Sequence, residues 1–371
     1  MKKKVIVVGA GILGASTAYF LAKEGTEVIV VDRHDDGQAT DAGAGMICPW
    51  TSKRRNKAWY RLAKAGARMY QTLAEDLASE GETDIGYAQV GAISLHKDDE
   101  KIKEMHDIAV KRREDAPEIG EVNILDEDQT KEMFPFLADG FKSVYISGAA
   151  RVDGRKMRDA LIRSAKKHGA IVRKGDASLI HENSRVIGVS VDGEVLHADI
   201  VLAATGVWMD SLLKPLGINF RVDSQKGQVL HVNLPNHDQY NWPVVMPPTG
   251  QYILSFDDRM VIGSTHENKK GFDYTATIGG MYELLSKLAP IAPGLMDCTL
   301  LESRVGFRPF TPEYLPMIGK IPDYEGLLVA NGLGSSGLTT GPYFGMQLAK
   351  LALGQELDID LADYDIKGAL K

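Results

Sequence analysis

The chain carries two Gly-x-Gly-x-x-Gly turns, Gly9-Ala10-Gly11-Ile12-Leu13-Gly14 near its start and Gly332-Leu333-Gly334-Ser335-Ser336-Gly337 near its end. Each follows a short apolar run, Val5 to Val8 and Leu327 to Ala330, and each leads into a helical pattern. Glycines at these spacings let the backbone turn tightly out of a strand and approach a pyrophosphate, which the unpaired N–H groups of the next helix then face. After the first turn, Ala15, Ala18, Leu21 and Ala22 recur at helical spacing and Gly25 stops the helix. A second run, Val28 to Val31, ends at Asp32. That is close to the roughly 20-residue spacing expected for an acid that accepts hydrogen bonds from an adenosine ribose. Arg33 beside it suits a 2′-phosphate, but Asp32 would repel one, which argues against NADP. A nicotinamide coenzyme needs one such turn. The second calls for a longer cofactor held at two points, and FAD has that length.

At 371 residues the chain is long enough for about two domains. A net charge of −7 gives no sign of nucleic-acid binding, and the Lys53-Arg54-Arg55 cluster between Trp50 and Trp59 is local. Two cysteines, Cys48 and Cys298, make no disulfide framework and fit a reducing compartment. No apolar stretch approaches the roughly 20 residues of a membrane span. The start of the chain enters a strand almost at once, which leaves no room for a signal peptide, so a cytoplasmic location is expected. The nine histidines are scattered, and no pair has metal-ligand spacing with a carboxylate partner.

The pattern along the chain predicts a discontinuous fold. A βαβ unit ends near Asp32, and a glycine-rich loop, Gln38 to Gly45, leads to an amphipathic helix from about Asn56 to Leu77. Residues 81–144 change in texture, with a strand at Gly91 to Leu95, a charged helix at Glu100 to Arg113 and irregular backbone at Met133-Phe134-Pro135. An α/β rhythm returns with a helix at Lys156 to His168, followed by short strands turning at Asp192-Gly193. Residues from about Phe220 to Leu301 are strand-rich, with one helix at Gly280 to Leu288, and the final block returns to strand, glycine turn and helix. The fold class is therefore α/β plus α+β. A Rossmann-like FAD-binding domain comprises residues 1–80, 145–215 and 305–371, and an antiparallel-sheet substrate domain, 81–144 and 216–304, is inserted into it.

Together these residues resemble the D-amino-acid oxidase superfamily of FAD-dependent amine oxidoreductases, particularly its glycine oxidase and sarcosine oxidase branch. The resemblance runs over nearly the whole chain. It rests on Gly9 to Gly14 with Asp32, Thr40-Asp41-Ala42-Gly43-Ala44-Gly45-Met46, Ala204-Thr205-Gly206-Val207-Trp208, Gly306-Phe307-Arg308-Pro309, Leu315-Pro316-Met317-Ile318-Gly319 and the second glycine turn. It implies a non-covalent FAD, with Gly9, Gly11, Leu13, Gly14, Asp32 and Arg33 on the ADP side and Ser178 at the adenine. Thr40, Ala44, Gly45 and Met46 would reach the pyrophosphate and the ring. Gly334, Ser335, Ser336, Gly337, Leu338 and Thr339 would lie along the pyrimidine edge, where helix N–H groups stabilise the charge of a reduced flavin. Simple helix capping is the alternative for the two serines.

For the substrate, the resemblance implies Arg308, whose planar guanidinium can hold a carboxylate through two parallel hydrogen bonds. A structural pairing with Glu302 or Glu313 is the alternative. Tyr252 matches a tyrosine near that carboxylate, and Arg54 and Arg55 fall where sarcosine oxidase-like enzymes place an arginine. Departures from the pattern matter. Glycine oxidase-like enzymes carry a second arginine where Ser335 stands and a histidine near Gly250, which puts glycine itself in doubt. The expected reaction is oxidation of a small carboxylate-bearing amino acid or secondary amine by hydride transfer, giving an imine that hydrolyses; no acid or base is assigned. An NAD-linked dehydrogenase and a non-enzymatic FAD-binding redox protein are the alternatives. Lys226 is expected at the surface, with a place near the ring, where its charge would favour oxygen, as the alternative. Oligomeric state, homo-oligomer included, is open.

Overall fold

The computed structural model describes residues 3–234 and 239–370. Lys2, the extreme ends of the expected cofactor domain and residues 235–238 of the expected substrate domain lie outside the described residues. A six-stranded sheet runs in the order Met317–Lys320, Leu327–Asn331, Ile200–Ala203, Lys4–Val8, Glu27–Asp32, Ile171–Lys174. All its pairings are parallel except that of the edge strand Met317–Lys320. Both faces are covered, which is why Val5 to Val8 read as an unbroken apolar run and not an alternating one. Val5 and Val7 pack under the helices Ile12–Lys23, Gly154–Lys167 and Gly337–Leu353. Ile6 and Val8 pack on the other side, against Val186 and Val189 of a three-stranded sheet and against Met209 and Leu213.

The second large sheet has eight strands: Thr299–Phe310, Asp223–Asn233, Met260–Gly263, Tyr252–Ser255, Val244–Met246, Ala92–His96, Lys142–Ile146, Val122–Leu125. It is not wholly antiparallel as expected, because Val244–Met246 pairs parallel with Ala92–His96 and joins the two inserted pieces. Two of its strands, Thr299–Phe310 and Lys142–Ile146, run across the domain boundaries expected at 304/305 and 144/145. A short helix, Glu127–Met133, forms just before the Phe134-Pro135 step, started by a reciprocal capping box between Asp126 and Gln129.

The two sheets are tied by a buried ion pair. Asp153 caps the helix Gly154–Lys167 by accepting from the Arg155 and Lys156 N–H groups at 2.9 and 3.0 Å, and its other oxygen pairs with Arg259, next to the strand Met260–Gly263. Burial raises the Asp153 carboxyl, but the Lys156 N–H and Arg259 outweigh it and hold it below the ordinary value. Asp153→Ala would remove the cap and one of the two carboxylates on Arg259, which keeps Asp258 at 2.8 Å, at an expected cost of about 1–2 kcal/mol by chemical denaturation. The native carboxyl is depressed, so its contribution is whole above about pH 4 and is lost as pH falls through the lowered native value. A wild-type acid limb unchanged in Asp153→Asn would refute this.

Candidate active site

Between the sheets runs a cavity of about 690 Å³. At one end the strand Lys4–Val8 delivers Gly9 at φ 98°, where a Cβ would come within 2.5 Å of the Ala204 carbonyl oxygen, so only glycine passes. Gly14 does not line the cavity. A Cβ there would strike the Gly9 carbonyl, so its role is to let the helix close onto the strand. Gly9, Gly11 and Leu13 do line it. Above Gly11 the nearest atom to an added Cβ is Thr40 Oγ1 at 3.3 Å, so that space is cavity and not protein. Gly11 offers the helix Ile12–Lys23 no side chain as a cap, and Thr40 Oγ1 instead accepts the Ile12 N–H at 2.9 Å. Asp32, buried at the cavity wall, is fixed by the Ala10 N–H at 2.5 Å, the His34 N–H at 2.6 Å and the Gln38 side-chain amide at 3.0 Å. Arg33, tied to Asp35 and Asp176, and Ser178 close this end.

Thr40, Ala44, Gly45 and Met46 form the middle of the wall, and Met46 O accepts from Thr339 Oγ1 at 3.0 Å. All six residues from Gly334 to Thr339 face the cavity. A 3₁₀ turn, Gly334–Ser336, runs straight into the helix Gly337–Leu353, which also opens without a side-chain cap. Ser336 Oγ instead accepts Trp59 Nε1–H at 2.9 Å, so capping is not its task. Two helix starts with no side chain at their own N-cap bonding them, an anchored acid and a glycine cradle along one cavity suit a long dinucleotide held by its pyrophosphate. Cys48 also lines the cavity, but burial pushes its thiol up to about 12, leaving no thiolate to attach a cofactor.

At the other end Arg308 reaches across the eight-stranded sheet. It leaves the edge strand opposite Gln225, and its guanidinium lies flat over Gly227. It donates to Gln225 Oε1 and Thr265 O at 3.1 Å each and to Ser264 Oγ at 2.5 Å, and it also bonds the Tyr252 hydroxyl. Tyr252 lies across Gly263 in the same way, where a Cβ would sit 2.6 Å from its hydroxyl. Every partner of Arg308 is neutral. The pairing with Glu302 does not form, because Glu302 is taken by Arg304. Burial lowers the Arg308 pKa. Gly227→Ala would put a Cβ 2.6 Å from Nη2. We expect KM to rise about tenfold with FAD binding intact, since overpacking of 1–3 kcal/mol falls on the guanidinium alone.

Arg54 and Arg55 do not join this wall. Arg54 stacks on Trp59 at 4.8 Å and bonds the Tyr314 carbonyl, while Arg55 is exposed. Lys226 is not a surface residue. It points away from the cavity face, fully buried, and pairs with Asp273 at 2.9 Å. Among the cavity residues that the sequence reading did not name is His266, three residues beyond Gly263, whose Nδ1 lies 3.1 Å from Gln225 Oε1. A single histidine with no spaced partner gives the sequence nothing to flag.

Comparison with known proteins agrees with this geometry. The family described as FAD dependent oxidoreductase, DAO, matches residues 4–351. An uncharacterized oxidoreductase of Bacillus subtilis, YurR, is 55% identical over 99% of this chain and 100% of its own. The glycine oxidase of Pseudomonas aeruginosa is 32% identical over the full length of both. The crystal structure of iminodiacetate oxidase from Chelativorans sp. BNC1 superposes with a TM-score of 0.94 at 42% identity, covering 97% of this chain and 98% of that one. The nicotinamide alternative is thereby set aside, and the chain belongs to the DAO family of FAD-dependent oxidoreductases.

Proposed function

We propose that this protein oxidises a small amine bearing a carboxylate, with secondary amino acids of the N-substituted glycine type as the best-supported class. The observation that carries the reading is Arg308: a desolvated cation facing the cavity, with only neutral partners. Such a group needs an anion, and its fork geometry favours a carboxylate. The 42% identity to the iminodiacetate oxidase supports a secondary amine, and Ser335, in place of the second arginine of glycine oxidase-like enzymes, speaks against glycine.

FAD, when bound along Gly9–Gly14, Asp32, Thr40–Met46 and Gly334–Thr339, supplies the two-electron acceptor. The chain's own residues do the rest. Arg308 and Tyr252 hold the carboxylate and so fix which C–H bond faces inward, and the walls restrict water. The oxidised product is an imine, which water hydrolyses to a carbonyl compound and an amine. Free thiols at Cys48 and Cys298 fit work in a reducing compartment. The test is an anaerobic titration of the holoprotein with sarcosine, iminodiacetate, proline, glycine and D-amino acids. Bleaching of the flavin band by the N-substituted glycines first is the expected result, and a yellow protein that no amine bleaches would leave only a non-enzymatic FAD protein.

A further inference from the structure

We propose that the outer side of residues 267–301 is a docking face for a second copy of this chain. Its footing is the strand Asp223–Asn233, whose alternate residues Lys226, Gln228, Leu230 and Val232 all point away from the cavity. Lys226 holds Asp273 at 2.9 Å, in a strap of residues 267–277. Gln228 bonds Thr277 in both directions, at 2.8 and 3.1 Å, where the helix Ile278–Leu288 starts. Leu230 and Val232 pack with Leu284 and Leu288 at the other end of that helix. Leu300, on the edge strand Thr299–Phe310, stands opposite Val232. Strap, helix and edge strand therefore form one layer along about 20 Å of strand, and what they turn outward lies on one surface.

That surface is apolar. Of the fourteen large apolar side chains that stand exposed among the described residues, eight fall between 272 and 301. Ile278 and Tyr282, one helical turn apart, are 86% and 73% exposed, with Phe272, Tyr274, Leu285 and Leu300 in the same layer. Leu284 and Leu288 already bury the inner face of the helix, so packing on the sheet does not explain the outer one. At roughly 200 Å² a side chain and about half exposed, the eight present on the order of 900 Å². The largest apolar patch of a monomer is usually about 300–600 Å², whereas one partner in a standard interface contributes about 800 Å².

Charge selects the occupant. Lys269 and Lys270 in the strap, and Asp297 in the turn Pro293–Asp297 beyond the far end of the helix, are exposed and form no ion pair among the described residues. Between them Glu283 and Lys287 pair with each other at 2.7 Å. The face is thus basic at one end, neutral in the middle and acidic at the other. A two-fold axis through its centre lays each basic end on the acidic end of the other copy while the apolar middles meet, the self-complementarity that a symmetric dimer requires. An anionic bilayer would match the basic end alone, and the chain carries a net charge of −7. The inner side of the strap serves the site, because Asn268 Oδ1 accepts from the Gln225 amide whose oxygen accepts from Arg308.

Sedimentation velocity of the holoprotein tests the proposal. At micromolar concentration the wild type is expected to run as a dimer or as an even-numbered assembly built from it, and a monomer would overturn the proposal. Tyr282→Lys is expected to weaken association at least about thirtyfold, as for the loss of a central aromatic anchor. Lys269→Glu with Lys270→Glu is expected to weaken it too, and adding Asp297→Lys to recover part of the loss, because the reversed ends match again. Association unchanged in Tyr282→Lys would put the contact elsewhere and sink the assignment, as would charge reversals whose effects simply add. A monomer that floats with vesicles of phosphatidylcholine and phosphatidylglycerol would give the face to a membrane instead. All four positions are exposed, and retained flavin absorbance in each variant confirms its fold.

Discussion

Arg308→Ala is expected to raise KM for a carboxylate-bearing amine by about a hundredfold or more, while the protein stays yellow. Removing one partner of a desolvated, charge-assisted pair typically costs about 2–5 kcal/mol, and each 1.4 kcal/mol is tenfold. The loss falls on binding because the guanidinium touches the anchor and not the reacting carbon. Its neighbours Gln225, Ser264 and Tyr252 are neutral and retain hydrogen-bond partners or water, so the fold should tolerate the change. Arg308→Lys keeps the charge but loses the planar fork over Gly227, and an intermediate rise of about tenfold is expected. Steady-state kinetics with an amine and its decarboxylated counterpart decide the matter. The variant should narrow the gap between the two substrates, and an unchanged ratio would remove Arg308 from the carboxylate site.

Gly11→Val should weaken FAD at least about a hundredfold and give colourless protein of near-native fold. The structure separates cofactor loss from misfolding here. A Cβ at Gly11 meets only Thr40 Oγ1, at 3.3 Å, so the branched side chain projects into the space where the pyrophosphate must approach the backbone. At Gly45, by contrast, φ is 79° and a Cβ would run into the Val152 carbonyl, so substitution strains the chain with or without FAD. Circular dichroism and an FAD titration distinguish the two. Gly11→Val should keep its helical signal and lose the thermal stabilisation that added FAD gives wild type. A fully yellow Gly11→Val would contradict the assignment of the first turn.

The cofactor half was legible because its signals are local. The Gly9–Gly14 turn, the Val28 to Val31 run and the Asn56 to Leu77 pattern each state their element in a few consecutive residues, and the structure forms Glu27–Asp32 and Lys57–Ser79 there. The substrate half depends on register between distant strands. Nothing near Gly227 or Gly263 says that each lies under a side chain from elsewhere, Arg308 over one and Tyr252 over the other. Lys226 was misread for a related reason. A lysine next to a glycine resembles a surface turn, whereas here it is the alternate residue of a long strand, buried on the far face with Asp273. The parallel pairing of Val244–Met246 with Ala92–His96 joins segments about 150 residues apart, which no local pattern announces.

The strand Thr299–Phe310 carries Arg308 into the cavity, and one residue earlier it binds the cofactor loop. The Phe307 N–H donates to Gly37 O at 2.9 Å, and Gly306 lies against Ala42. From there Gln38 continues the contact to Asp32 at 3.0 Å. Whatever orders residues 37–42 therefore also orders the stem of Arg308. If a carboxylate seats on Arg308 as proposed, linkage makes the effect mutual: it tightens FAD binding by the factor through which FAD tightens the seat. An enzyme built this way would hold its cofactor most firmly when its substrate is plentiful, and starvation for that substrate would favour the apoprotein.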